Sequence, residues 1–418
     1  MNNPLHGKKI LVTGGTAKEV IDGVRFYANR TRPSDLGHRV AGLLREQGAQ
    51  VFLVSARNTL LPPRNVPTLS NALSGADLLK ACATVIRERK IDAVFHLANI
   101  ANFRPVATGH EKIRFRPSGL KEFEFDAEAT PDFLKTLAFP LFAGYNRQQE
   151  GVSDGDEAII KAMRAAMRAA EKMPEIRKPS PPPPATPVPE ILKGLKVIVT
   201  AGATAEKLNQ YGDVLTHFSS TKEGFALAEA LAAMGALVTL VTSKSSQTPP
   251  QHPHITIFPA GNCIETLAGL QKGMPADVFI NAAAIGDFSL SKPLGGLPHP
   301  AQTVRLQMSK TMDVLEMAGG LPAGLRPRLV IGCMGGTEGL LQNAQGKIAQ
   351  KKIDALLALP VDRATREKLP DGQTRPVYIG KGTAPADWGA SSLFETGLKL
   401  GQKIARLLES GILSQKMA

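Results

Sequence analysis

Cysteine is scarce in this 418-residue chain: Cys82, Cys263 and Cys333 stand far apart, with no Cys-x-x-Cys pair. That excludes a disulfide framework and a cysteine-rich zinc site, and it suits a reducing compartment. No metal ligand set is read from the sequence. Aromatic residues amount to 5%, with one Trp, which is too few for a platform that stacks single-stranded nucleic acid. No apolar run approaches the roughly 20 residues of a membrane span. The opening Met-Asn-Asn-Pro-Leu-His-Gly-Lys-Lys has no apolar signal segment. The expectation is a cytoplasmic protein with neither membrane nor nucleic acid as partner.

What is present is Ala, Gly and a 43% hydrophobic share, enough for cores of helix packed on sheet. The length exceeds one domain of ~100–200 residues, so two are expected. The net charge of +13 comes from scattered Lys and Arg. It reads as a solvated basic surface, compatible with a field that draws nucleotides and phosphorylated metabolites.

Residues 178–190, Lys-Pro-Ser-Pro-Pro-Pro-Pro-Ala-Thr-Pro-Val-Pro-Glu, favour an extended spacer. Residues 156–173 before it carry Ile, Met and Ala at helical spacing. The chain therefore divides into a first domain at 1–150, a helix and linker at 151–192, and a second domain at 193–418.

The two halves repeat one another. Lys-Lys-Ile-Leu-Val-Thr at 8–13 opens into Gly14-Gly15-Thr16, and Lys-Val-Ile-Val-Thr at 196–200 opens into Ala201-Gly202-Ala203-Thr204. A helical stretch follows each turn (39–47 and 225–234), then a second strand (49–54 and 236–241). Residues 93–103 parallel 277–288. The landmarks lie 200 − 13 = 187 and 287 − 102 = 185 residues apart. The pattern predicts α/β architecture: two Rossmann-like doubly wound parallel-sheet domains in tandem, the second ending in a short strand at 377–379 and a helix over 391–408.

In such sheets ligands bind beyond the carboxyl ends of the strands, where small-residue turns let backbone N–H groups approach phosphate. That directs attention to Gly14, Gly15, Thr16 and Gly202, and to Ala98 and Ala284 after the later strands. Gly14-Gly15 is not the Gly-x-Gly-x-x-Gly fingerprint. No acidic ribose partner follows the second strand either, which sets a nicotinamide-dependent reductase behind other readings.

More specific is Ile21-Asp22-Gly23-Val24-Arg25-Phe26-Tyr27-Ala28-Asn29, with Ala98-Asn99-Ile100-Ala101-Asn102-Phe103-Arg104-Pro105, Glu111-Lys112-Ile113-Arg114 and Thr130-Pro131-Asp132-Phe133-Leu134 after it. The second half has Ser219-Ser220-Thr221-Lys222-Glu223-Gly224 and Ala283-Ala284-Ile285-Gly286-Asp287-Phe288. These segments resemble, in order, the motifs of the phosphopantothenate–cysteine ligase (phosphopantothenoylcysteine synthetase) family. Departures are evident in both halves: Asn102 stands where the family has Asp, His217 where it has Asn, Gly336 where it has Glu, and Leu359 where it has Asn.

The resemblance implies a ligase of coenzyme A biosynthesis. It would join 4′-phosphopantothenate to cysteine through an acyl-nucleotidylate, using CTP or ATP with Mg²⁺ and no flavin. By position, Asn29 would hold the acyl intermediate, Arg25 would orient the anionic substrate, and Lys112 would close over the phosphates. Asn102, Ser219, Ser220, Lys222 and Asp287 would face the nucleotide. The family's dimeric habit implies an internal pseudo-dimer or a homodimer. Each residue also has a structural reading: Arg25 suits a pair with Asp22, Asn29 a turn, Lys112 a solvated loop, and Ser219 and Ser220 a helix cap. The lost motif residues leave a non-catalytic nucleotide- or phosphometabolite-binding paralogue as the alternative.

Overall fold

The computed structural model describes residues 5–56, 60, 62–108, 122–130, 133–137, 142–144, 157–176, 187–219, 221–243, 247–292, 294, 303–336, 344–360 and 373–416. The first half begins with β1 (Lys9–Gly14), β2 (Glu19–Val20) and β3 (Arg25–Asn29). It continues through α1 (Leu36–Glu46), β4 (Gln50–Ala56), β5 (Thr68–Ala72), α2 (Gly75–Arg89) and β6 (Ala93–His96). β7 (Phe103–Pro105), β8 (Glu122–Ala129), α3 (Phe133–Leu137), β9 (Phe142–Gly144) and α4 (Glu157–Lys172) complete it.

The second half opens with β10 (Lys196–Ala201), β11 (Ala205–Lys207), β12 (Asp213–His217), α5 (Lys222–Ala233) and β13 (Leu237–Thr242). Then come β14 (Ile255–Pro259), α6 (Cys263–Gly273), β15 (Val278–Asn281), β16 (Phe288–Leu290), β17 (Thr303–Lys310) and α7 (Val314–Gly319). β18 (Leu329–Gly336), α8 (Ala344–Lys351), β19 (Ala355–Pro360), β20 (Gln373–Thr374) and β21 (Val377–Gly380) follow. β22 (Ala386–Asp387), β23 (Ser391–Ser392) and α9 (Leu393–Lys416) end the chain's described elements.

The elements fall into two compact units. The first takes Met1–Lys178 together with Lys207–Thr216 and Phe288–Lys310; the second takes the remainder.

In the first unit β5-β4-β1-β6-β9 form one parallel sheet. Successive side chains of a strand point to opposite faces, and the cores divide accordingly. Ile10 and Val12 join Val51, Leu53 and Phe95 under α1 and α4. Leu11 joins Phe52, Val54 and Val94 under α2. Helix α4, placed between the domains by the sequence pattern, buries Ile159, Met163, Ala166 and Ala170 in this core. Its end is held by Arg39, which donates to the carbonyls of Ala170 and Met173. The Pro-rich run lies mostly outside the described residues.

Two smaller sheets complete this unit. β3 sits between β2 and β12. β8 is covered on one side by β7 and on the other by β17, which pairs with it antiparallel from Ser309↔Glu122 to Thr303↔Glu128. Ile21, Tyr27 and Phe103 pack against Leu208, Leu215, Phe288, Leu306 and Met308. The second half of the chain thus supplies half the residues of a first-unit core.

The second unit holds the sheet β14-β13-β10-β15-β18-β19-β21-β22, parallel through β19 and antiparallel at β21 and β22; β20 and β23 form a separate two-stranded ladder. Val197, Val199 and Ile280 pack under α5 and α9, while Ile198, Phe279 and Val330 face α6, α7 and α8. The mixed α/β class with parallel sheets read from the sequence is therefore present. Among the described residues no helix is long and apolar enough to cross a membrane.

A fragment ending at Lys178 would leave β8 with an open edge and strip the core around Tyr27 and Phe103 of five partners. Each such side chain contributes ~1.5–3 kcal/mol when fully buried, so the fragment is expected to melt early and self-associate through the exposed edge. Size-exclusion chromatography and thermal unfolding of the fragment test this; a stable monomer with the full chain's first-unit unfolding would contradict it.

Candidate active site

Beyond β1 the chain changes direction within three residues. Gly15 sits at φ +79°, where a Cβ would lie 2.8 Å from the Ala56 carbonyl oxygen and 2.9 Å from Ser55 Oγ. Only glycine fits there without strain. The sheet order reverses between β1 and β6, so this turn lies at the switch point.

Thr13 joins the two strands at that point. Its hydroxyl meets His96 Nδ1 at 2.7 Å and accepts from the N–H groups of Leu97 (3.0 Å) and Ala98 (3.1 Å). His96 stacks on Phe133 at 4.2 Å, and burial, with Arg32 nearby, pulls its pKa down to about 3. The imidazole is therefore neutral at physiological pH and serves as a hydrogen-bonding spacer.

A hydrogen-bond chain runs from the turn into the site. Asn99 donates its backbone N–H to the Gly15 carbonyl at 2.9 Å. Its side chain donates to Thr16 Oγ1 (3.2 Å) and to the Arg32 carbonyl (3.0 Å). Thr31 gives both its N–H (3.1 Å) and its hydroxyl (2.7 Å) to Asn29 Oδ1. Asn29 Nδ2 donates to the Tyr211 carbonyl at 3.0 Å and to Asp213 Oδ1 at 3.1 Å. Asp213 also accepts from Asn102, through its backbone N–H (3.1 Å) and Nδ2 (2.7 Å), and from Asn209 Nδ2 (2.7 Å). Gly15, Thr16, Asn29 and Asn102 are thereby linked within one unit, with Gly14 and Ala98 adjoining.

Arg25 lies deeper. It is 1% exposed, its Nη1 is 3.4 Å from Asp22 Oδ2, and its guanidinium rests over the Phe288 ring at 4.4 Å. Asp22 in turn accepts from the N–H groups of Val24 and Arg25. Lys112 and Ser220 lie outside the described residues.

The second unit repeats this construction with other side chains. Gly202 (φ +88°) turns against Ser243 and the Thr221 methyl. Thr200 Oγ1 donates to Asn281 Oδ1 at 2.7 Å and accepts from the Ala283 N–H at 3.1 Å. Ala284 donates to the Gly202 carbonyl at 2.8 Å, as Asn99 does to Gly15. Ser219 and Lys222 are exposed at the entry to α5; Asp287 is half-buried, and its carbonyl accepts from the Thr311 N–H at 3.0 Å.

Both turns share a feature that motif reading missed. Glu19 accepts from the N–H of Gly75, the first residue of α2, at 2.7 Å, and Glu206 does the same with Cys263 of α6 at 2.9 Å. A carboxylate suits the positive end of a helix. The two stand 206 − 19 = 187 residues apart, the spacing of the strand repeat, as do Asn209 and Asp22 (209 − 22 = 187). That spacing was the available signal. Burial raises the pKa of both glutamates, opposed by these same helix N–H bonds.

The fold is thus mixed α/β, with a glycine turn after the first strand of each parallel sheet. Comparison with known sequences gives the family. The profile of the DNA/pantothenate metabolism flavoprotein C-terminal domain matches residues 5–145 and 192–388. The chain belongs to this family, in agreement with its resemblance to the phosphopantothenate–cysteine ligases.

The coenzyme A biosynthesis bifunctional protein CoaBC of Haemophilus influenzae is 29% identical over 169 residues, covering 40% of this chain and 41% of the relative. Its namesake in Thermococcus kodakarensis is 30% identical over 193 residues, covering 46% and 47%. The chain spans less than half the length of these curated relatives. A crystal structure of the C-terminal domain of CoaBC is 23% identical, with a TM-score of 0.44, and covers 53% of this chain and 99% of that one.

The Glu19 environment gives a pH dependence. A carboxyl whose folded pKa is raised stabilises the fold below its unfolded value of 4.5, and that contribution is lost as pH rises through the folded value. Glu19→Gln keeps an acceptor for Gly75 and removes the buried charge. Its melting temperature at pH 7 is expected to equal or exceed that of the parent, with a flatter profile from pH 4 upward. A lower midpoint at pH 7 with an unchanged slope would refute this.

Proposed function

We propose that the chain is a phosphopantothenate–cysteine ligase built from two diverged copies of the family's domain, at 1–150 and 193–418, joined by the helix and linker at 151–192. The carrying observation is the pair of buried amides beside the Gly15 turn, Asn99 bound to Gly15, Thr16 and the Arg32 carbonyl and Asn29 bound to Thr31, Tyr211 and Asp213, set at a switch point of a family member. Two separate stretches matched by one profile, and the shared turn chemistry, support the tandem reading.

In this reading 4′-phosphopantothenate, CTP or ATP, and cysteine are the substrates. Asn29 serves the acyl-nucleotidylate: the amide hydrogen now given to the Tyr211 carbonyl passes to the acyl oxygen, while the bond to Asp213 remains. A fixed donor aimed at developing negative charge is the usual means of stabilising such an intermediate. Arg25, half-neutralised by Asp22, contributes field to the anionic substrate. Gly14, Gly15, Thr16, Ala98 and Asn102 are assigned to one nucleotide-facing turn and Gly202, Ser219, Lys222, Ala284 and Asp287 to the other, while Ser220 and Lys112, outside the described residues, are assigned to the phosphates from the resemblance alone. Among the described residues no three metal-ligating side chains gather. Mg²⁺ enters this reading as a companion of the triphosphate, whose charge it would neutralise. The reaction is that of a cytoplasmic enzyme, acting as a homodimer or as a self-sufficient pseudo-dimer.

One observation favours the second reading, a non-catalytic nucleotide-binding paralogue. Both amide hydrogens of Asn29 are donated inside the protein.

The deciding experiment is pyrophosphate release with 4′-phosphopantothenate, cysteine and Mg²⁺, comparing CTP with ATP. Phosphopantothenate-dependent release supports the ligase and names the nucleotide; nucleotide binding without release supports the paralogue. Asn29→Ala is expected to lower turnover by at least ~10²-fold with nucleotide binding retained, the scale of losing one oxyanion donor. Equal loss of both would sink its role. Lys222→Ala is expected to raise the nucleotide KM, and an unchanged KM would remove that lysine from the phosphate site.

A further inference from the structure

Asp213 is fully shielded from solvent, and every hydrogen bond described to its carboxylate comes from an asparagine. Asn29 and Asn102 belong to the first half of the chain, Asn209 to the second. A side-chain amide has a donating end and an accepting end that are nearly identical in shape, so packing alone selects weakly between them. A carboxylate only accepts. Rotated by 180°, the Asn29 amide would set its oxygen against Asp213 Oδ1 and its NH₂ against the Thr31 N–H and hydroxyl. Two acceptors would then meet at Asp213 and two donors at the Thr31 N–H, both repulsive and destabilising when buried, whereas the Thr31 hydroxyl can accept as well as donate.

We propose that Asp213 is the positioning residue of the site: it fixes which end of the Asn29 amide faces the reacting group. The remaining donors support this. Asn209 Oδ1 accepts from the N–H groups of Tyr211 (2.9 Å) and Asp213 (3.2 Å), so the loop that carries the carboxylate is itself clamped. The Asp213 bond is then the permanent anchor of Asn29, and the bond to the Tyr211 carbonyl is the exchangeable one. The second half of the chain thereby sets the orientation of the first half's principal amide. This inference rests on the ligase reading for its kinetic consequences and on the hydrogen-bond geometry for the rest.

The test uses the full chain and Asp213→Asn, which keeps size and removes the acceptor-only character. The kcat is expected to fall about 10²-fold, the scale of a misplaced catalytic group, with the nucleotide KM nearly unchanged. In an Asn29→Ala background, Asp213→Asn is expected to cost nothing further, since groups acting as one unit are non-additive. Additive losses would overturn the proposal, because a merely structural residue harms both backgrounds alike. If Asp213→Asn does not fold, Asn209→Ala, which releases one donor holding the carboxylate, is expected to show the same non-additivity.

A readout independent of catalysis is the pair of Asn29 side-chain amide proton signals, identified by their loss in Asn29→Ala. They are expected to move and to exchange faster in Asp213→Asn. If the parent protein releases no pyrophosphate, the ligase reading fails by itself and these signals decide the positioning role. Unchanged signals would refute it.

Discussion

A carboxylate shielded from solvent must be surrounded by donors, and that requirement at Asp213 organises the loops around β3 and β12 in the first unit. The donors come from the ends of β3 and from the loops before β7 and β12. Asn29 ends a paired strand, whereas the other two segments have no secondary structure of their own. Satisfying one buried carboxylate therefore fixes that strand end and two loops at once, and the apolar contacts of Tyr27, Phe103 and Leu215 beneath them hold the adjoining strands. The same logic recurs at smaller scale where Glu19 and Glu206 meet the first N–H groups of α2 and α6.

Much of the framework was legible in the sequence because strand and helix periods are local properties. The runs at 8–13 and 196–200 became β1 and β10, and the helix expected over 391–408 begins at Leu393 as α9, its first two residues forming β23 instead. Alternating Ile10, Leu11 and Val12 divide between two cores, as a covered parallel strand requires. Less accessible was the membership of β12 and β17 in the first unit. The alternation of Val304, Leu306 and Met308 marks β17 as a strand, but nothing local specifies which edge it or β12 completes.

The site was legible in the same uneven way. The turn glycines announce themselves by composition, and Gly15 and Gly202 do adopt left-handed backbone. Asn29 and Asn102 stood out by resemblance, whereas Asp213 and Asn209 did not. Asp213 matters through burial and through partners 111 and 184 positions away, quantities that no window of sequence contains, and Asn209 matters through its hold on Asp213. Repeat spacing held the one usable clue, since 187 residues separate Glu19 from Glu206 and Asp22 from Asn209. The two turns share helix-end and backbone hydrogen bonds and differ in the side chain beside them, Asn99 in one and Ala284 in the other.

The interleaving of segments has a consequence for how the protein is made. A ribosome adds ~5–20 residues each second. The first unit's parallel sheet can close once residue 178 has emerged, yet β8 acquires its long partner only when Lys310 has appeared. The interval of 310 − 178 = 132 residues corresponds to about 7–26 s at that rate. For that time a nascent strand edge stays open while the second unit is still being synthesised. The order of events makes completion of the amino-terminal site a late step, timed by the length of chain between two strands.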